Sequence, residues 1–510
     1  MGSAGHQRGA DSERGGGVKR RTVLRAGGAI AVAGAVAPFA PRLLAEGQAG
    51  TLLPSIAPLP SAFQVPLPIP PVLTPARTDA TTDYYEITQH VTRLPILPGL
   101  TTEAWTYGGS WPGPTLVSRA GRRTVVRHRN QLPEPVVVHL HGGHTPADSD
   151  GYPIDLVAPM GSARYRARDV ATGFRDYGYP LDQRAATLWY HDHAMGRTGP
   201  NVYRGLSGFH LVHDDEEDAL ALPRGDRDLP LMITDRSFDE DGGFRYRTAG
   251  HMNGVLGDVV LVNGAPWPVH PVDRAPYRLR FLNASNARRY RLELDPQPPG
   301  GQALVQIGSD GGLLARPIAH DAVEIAPAER FDLIVDFGRY PAGTGVRLRN
   351  RLGSGRTQDV MRFDVGGTKR AEMKIPAVLS AERRLNPSNA VATRTFVFRQ
   401  NVSGTWTVNN REYQPGRPLA RPRLGTTEIW RFVTDFHHPV HVHLDPFQVL
   451  SRDGRGPGAY DAGWKDTVDV RPAAAVEIIT RFSDYPGRFV LHCHNLEHED
   501  MAMMADFETG

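Results

Sequence analysis

His492-Cys493-His494-Asn495-Leu496-Glu497-His498-Glu499-Asp500-Met501-Ala502-Met503 is the stretch from which the rest of this 510-residue chain is read. Cys493 is the only cysteine. No internal disulfide is open to it, and packing alone does not explain its place between two imidazoles with a thioether ten residues on. Thiolate, imidazole and a distant methionine together are the ligand types of a blue copper site. In an extended segment, residues i and i+2 share one face and i+1 takes the other. Cys493 then faces away from His492 and His494, so one strand serves two sites joined by a few covalent bonds.

The same spacing recurs in His139-Leu140-His141, in His191-Asp192-His193 and in His438-Pro439-Val440-His441-Val442-His443. Each His-x-His on a strand sets two imidazoles side by side. The pairs 139/141, 191/193, 441/443 and 492/494 supply eight imidazoles. His438, Cys493, His498 and one methionine, Met503 or Met501, remain for a separate mononuclear site.

Helical periodicity is scarce elsewhere. Short apolar or alternating runs (135–141, 277–282, 331–337 and 477–482) are bounded by Gly, Pro, Asn and Asp, the pattern of β-sandwiches or Greek-key barrels. A weak repeat at 111–130, 263–283 and 408–433 argues for three units of one type, which the length also suggests. Only the first and third copies are followed by histidine pairs. Linkers are expected at Asp214–Asp218 with Pro223 and around 366–386. The proline-rich run 52–75 cannot form helix or central strand and predicts an extended arm over the first domain.

At 40% hydrophobic and 22% charged residues, the composition is that of an ordinary soluble globular protein. The net charge of +3 comes from residues 1–45, where seven basic residues face two acidic ones. The remainder is slightly acidic, which argues against nucleic acid as a partner. Lys19-Arg20-Arg21-Thr22-Val23-Leu24-Arg25, followed by the mildly apolar 26–40, reads as a twin-arginine export signal cleaved near residue 49. That stretch is too short and too mild for a permanent membrane span. A secreted, periplasmic or cell-surface protein, exported with its cofactor in place, is the expectation.

In order and spacing the four histidine motifs resemble those of the multicopper oxidases, over residues from about 60 to the end. The runs 139–143, 145–146 and 148–151, then 188–195, then His498-Glu499-Asp500, are especially similar to the bacterial spore-coat laccases, with phenoxazinone synthases and bilirubin oxidases close by the same criteria. The resemblance implies an all-β chain of three consecutive cupredoxin-like Greek-key β-barrel domains. After the signal region (1–49) these would be 50–222 with the proline-rich arm, 223–370 without copper ligands, and 385–510 with the type 1 copper. It implies four copper ions. Type 1 would be held by His438, Cys493 and His498 with Met503 axial, the ten-residue offset from Cys493 favouring Met503 over Met501. Type 2 would be held by His139 and His441, and the type 3 pair by His141, His191, His193, His443, His492 and His494.

The activity so implied is that of a laccase-like monomer: one-electron oxidation of phenols and aromatic amines coupled to four-electron reduction of O2 to water. Asp150 and Glu499 match carboxylates that supply protons to the oxygen, and an axial methionine implies a low-to-middle potential. The donor is expected near the loop 452–460. A cuprous oxidase is the rival, although that group usually carries a methionine-rich insertion and here only Met501, Met503 and Met504 cluster. Bilirubin oxidase or phenoxazinone synthase activity is a further alternative. The other ten histidines read as ordinary, with His144 and His437 beside the ligands, and Asp192 is expected to point away from the metals.

Overall fold

The computed structural model describes residues 50–162, 170–250, 252–368, 373–381 and 383–510. The expected export signal lies outside the described residues. No helix among them is long and apolar enough to cross a membrane.

Three pairs of sheets follow one another along the chain. In the first, Arg77–Thr78, Thr82–Leu94, Thr102–Tyr107, Arg123–Asn130 and Phe174–Tyr179 form a five-stranded sheet. Gly113–Arg119, Val138–His141 (β1), Ala186–Asp192 (β2) and Ser207–His213 form a four-stranded one. Val126 and Tyr177 from one sheet meet Leu140 and Leu188 from the other in a common core. The second pair, of seven and five strands, encloses Leu231, Phe281, Leu292, Val346 and Phe363. The third sets a five-stranded sheet against His438–Val442 (β3), Thr467–Val470, Gly487–Cys493 (β4) and Met504–Thr509 (β5), with Phe432, Val440, Leu491 and Phe507 between them.

Strand alternation decides which histidines leave these cores. On β1, Val138 and Leu140 enter the first core, so His139 and His141 turn outward; on β2, Leu188 and Tyr190 enter it and His191 turns out. On β4, Leu491 and Cys493 enter the third core and His492 faces the first unit. Antiparallel pairing then aligns the outward rings. His139 lies opposite His191, and His441 opposite His492, with Val440 opposite Cys493. A slip of one residue in either pairing would exchange core and outward faces.

Among the described residues helical content is small: Thr198–Tyr203 (α1), Asp215–Asp218 (α2), Leu496–Asp500 (α3) and a few short turns. Asp500 on α3 accepts from the amides of Thr198 and Gly199 at the start of α1, both at 2.9 Å, tying third unit to first. The acidic stretch expected as a linker is α2, capped by Asp214, which accepts from Glu217 N at 2.7 Å. Glu217 in turn binds buried Arg278 of the second unit at 3.0 Å.

The proline-rich arm departs from expectation, because it first crosses the second unit. Thr51–Leu53 pairs in parallel with Val255–Gly257, Phe63 N donates to Trp267 O, and Ala57 and Leu67 join the second core. At Pro71, Val72 and Leu73, against Thr115, it reaches the first unit. Prolines that cannot donate leave the apolar residues between them to choose the docking surface, and those residues find the second core.

Candidate metal centre

Cys493, His438 and His498 meet inside the third core, all fully buried. The sulfur is 3.3 Å from His438 Nδ1 and 3.6 Å from His498 Nδ1, and the two nitrogens are 3.2 Å apart. The point equidistant from the three atoms lies about 2 Å from each, a metal–ligand bond length. Asp435 Oδ1 sits 3.4 Å from the far nitrogen of His438 and fixes the ring. Burial pushes the Cys493 thiol well up, so metal binding as thiolate must release a proton. Met503, fully buried, lies in the same core cluster, whereas Met501 is only partly buried against it.

Eight other imidazoles converge between the first and third units. Nε2 of His193 and Nε2 of His443 lie 3.2 and 3.3 Å from Nε2 of His492. Nε2 of His139 and His441 are 3.4 Å apart. His141, His191 and His494 have ring centroids 5.0 to 5.7 Å apart. His141 Nδ1, His191 Nε2 and both nitrogens of His494 are buried with no hydrogen-bond partner. An orphaned buried polar group costs about 1–3 kcal/mol, so three neighbouring imidazoles with orphaned nitrogens fit a metal site. Other triples in this crowd are also close, such as His139 with His141 and His191; the orphaned nitrogens favour His141 with His191 and His494.

Burial first, and the neighbouring imidazoles second, hold His139, His141, His443 and His494 well below the ordinary histidine value, and bring His191 down to about 3. All five are therefore neutral, the form that binds metal.

Acceptors stand at the outer nitrogens of His139, His443, His492 and His193 and orient those rings. Asp150 Oδ2 accepts from His443 Nδ1 at 2.7 Å, and its backbone carbonyl from His139 Nδ1 at 2.5 Å. Glu499 Oε2 is 3.0 Å from His492 Nδ1, and Oε1 is 3.5 Å from His193 Nδ1. Burial pushes the Asp150 carboxyl well up. At Glu499 burial pushes the same way, but His492 and His193 outweigh it and hold the carboxyl at about 2. Asp192 does point away: its carboxylate accepts from Val137 N, Ala194 N and Asn201 Nδ2.

Sequence reasoning missed Asp466. Its carboxylate takes His141 Nε2 at 3.0 Å, which leaves His141 Nδ1 as the metal-facing atom, and its carbonyl accepts from His441 Nδ1 at 2.8 Å. Arg330, fully buried, clamps the same carboxylate with two hydrogen bonds of 2.7 and 2.5 Å. Next to it, Lys465 Nζ lies 3.1 Å from Asp310 and 3.2 Å from Glu329, all buried. A signal was present: Lys465 is one of only four lysines, and it stands between Trp464 and Asp466.

The loop 452–460, expected beside the mononuclear site, turns toward the second unit. Arg452 binds Asp461 twice at 2.6 Å, and Tyr460 donates to Ala322 O at 3.2 Å. The ring that covers His498 is that of Trp406, with centroids 3.9 Å apart, and the indole N–H donates to Met252 O at 3.1 Å.

Residues 89–217 and 382–510 match two family models, each described as multicopper oxidase. A laccase of Bacillus stratosphericus is 37% identical over 505 residues, spanning 86% of this chain and 97% of its own. A bilirubin oxidase of Albifimbria verrucaria is 36% identical over 490 residues, spanning 89% and 82% respectively. Among solved structures, a laccase from Pediococcus acidilactici superposes with a TM-score of 0.81 at 32% identity, covering 90% of this chain and 96% of its own.

Proposed function

Since this chain belongs to the multicopper oxidase family, as a laccase-like, oxygen-using oxidoreductase of cupredoxin-like domains, we propose that it holds four copper ions and oxidises phenols and aromatic amines. His438, Cys493, His498 and Met503 would hold the type 1 ion; His139 and His441 the type 2; His141, His191, His494, His193, His443 and His492 the type 3 pair. When bound, the coppers supply one-electron oxidation at the cysteine site and four-electron reduction of O2 at the cluster.

The chain's own part is connection, exclusion and proton supply. β4 joins the sites, because the Cys493 side chain leaves one face of a backbone whose next residues on either side, His492 and His494, belong to the cluster. Trp406, itself buried, packs over His498 and keeps water from that ring. Asp150 and Glu499, both buried, stand at the outer nitrogens of His443 and of His492 and His193. In this reading Asp150, its carboxyl pushed up by burial, holds a proton there, and Glu499, ionised, takes one up and passes it on, for the reduction of oxygen.

One observation carries the proposal: two ligand sets of different chemistry, sulfur-containing and all-imidazole, share the strand Gly487–Cys493. It is tested by oxygen uptake of the copper-loaded protein with a phenol, an aromatic amine, bilirubin and Cu(I) in parallel. Uptake with the phenol and the amine is expected; uptake with Cu(I) alone would overturn it. Bilirubin is included because the Albifimbria verrucaria relative supports bilirubin oxidase as a second reading. Twin-arginine export to the cell exterior, a monomeric state, and domain boundaries at 50–222, 223–370 and 385–510 complete the proposal.

A further inference from the structure

Reducing oxygen to water takes up one proton for each electron, yet the imidazoles that surround the cluster are buried. A cavity reaches them. It has a volume of about 480 Å³, and His139, His441, His443 and Asp466 form its inner wall. Exposed Arg481 and Ser483 also line it, so it opens to solvent. The volume gives room for on the order of ten water molecules.

His144 stands in the wall of this cavity and is 8% exposed. Its two ring nitrogens point in different directions. Nε2 is 2.9 Å from Oδ1 of Asp484, whose side chain is 57% exposed. Nδ1 is 3.4 Å from Oδ1 of Asp445, which is buried and also lines the cavity, and 3.3 Å from Leu444 O. The ring is held in place. Gln183 Oε1 accepts from His144 N at 2.8 Å, the Tyr485 ring lies 4.7 Å away, and Ser483 Oγ donates to Asp445 at 2.7 Å. The charged groups on the elements around it are Asp484 and Asp445, with Asp182, Arg184, Arg383, Asp466 and Arg481 further along the cavity wall.

We propose that His144 relays protons from the surface carboxylate of Asp484 into this cavity and so toward the oxygen-reducing cluster. A proton reaching Asp484 Oδ1 passes to His144 Nε2, and the proton on Nδ1 leaves on the Asp445 side into the cavity. One proton enters the ring as another departs, so its charge is unchanged at the end of each cycle. An imidazole suits this because it both accepts and donates near neutrality and has two separate nitrogens. The ordinary alternative is a histidine that merely bridges two carboxylates. It predicts the same contacts but a different response to substitution. The inference rests on the proposed oxidase function.

His144→Ala and His144→Gln are compared with wild type as copper-loaded proteins. Both are expected to keep the wild-type copper content and blue intensity and to bleach anaerobically with a donor at the wild-type rate. Both are expected to lose about tenfold in oxygen uptake above neutral pH, a modest share of what general acid–base groups contribute. Added imidazole restores His144→Ala. Full activity of His144→Gln, whose amide keeps a hydrogen bond but cannot relay, would overturn the relay, as would unchanged uptake in His144→Ala.

A second readout needs no turnover. Diethyl pyrocarbonate acylates a free imidazole nitrogen, so in the copper-free protein Asp484→Asn, which loosens the hold on Nε2, should speed the modification of His144. Slower or unchanged labelling would contradict the Asp484–His144 pair. If the wild type consumes no oxygen with any donor, the oxidase reading fails, and the labelling still judges the pair.

Discussion

Asp466→Asn removes one charge and almost no volume at the point where the second unit grips the cluster. In the wild type both carboxylate oxygens take the guanidinium of Arg330, one of them also takes His141 Nε2 at 3.0 Å, and Thr467 Oγ donates at 2.9 Å. An amide offers only one accepting oxygen, so either Arg330 or His141 faces an N–H. Breaking a buried ion pair from one side costs about 3–5 kcal/mol. Arg330 keeps Asp310 at 3.7 Å and three backbone carbonyls, which puts the expected loss near the lower end. Freeing His141 should further weaken copper binding at the cluster by about 10–100-fold, as removing a group that orients a metal ligand generally does. The cysteine site should be spared, since Asp466 bonds to none of its ligands. The assay is denaturant unfolding of the copper-free variant together with copper titration, followed by blue absorption and by electron paramagnetic resonance. An unchanged unfolding midpoint, or blue copper lost in step with cluster copper, would refute this reasoning.

Glu499→Gln should leave anaerobic reduction of the blue site intact and slow oxygen turnover, because its carboxylate touches only His492 and His193 of the cluster; equal losses in both rates would remove it from proton supply. Glu217 gives a pH prediction for the fold. Burial pushes its carboxyl up, but Arg278, His213 and Arg280 outweigh burial and hold it far below the usual carboxylate range. A depressed folded value means that the stabilisation is complete above the unfolded value of about 4.3 and drains as pH falls below it. Wild type should therefore outlast Glu217→Gln in thermal unfolding at pH 7, with the gap narrowing steadily below about pH 5; a gap independent of pH would contradict the assignment.

The candidate copper ligands were legible because period-two alternation is local. Val138 and Leu140 had to enter the first core, so His139 and His141 had to leave it on the opposite face of the strand. The carboxylates behind the rings were legible only in part. Asp150 and Glu499 lie close in sequence to ligands, whereas Asp466 acquires its role from Arg330, on another unit 136 positions away. No spacing rule spans that separation. The path of the arm was illegible for the same reason. Ala57 and Leu67 sit in a core built from residues far along the chain. Trp406, over His498, comes from a strand that carries no histidine and so drew no attention.

Cys493 belongs to one site while its neighbours on the same strand belong to another, and everything proposed for this chain depends on that division. Copper content and electron paramagnetic resonance of Cys493→Ser, set beside wild type, test it most directly. Four coppers and a blue signal are expected in the wild type; the variant should keep about three, lose the blue absorption entirely and fail to couple donor oxidation to oxygen uptake. A variant that stays blue, or one that loses all its copper while still folded, would contradict the division of that strand between two sites.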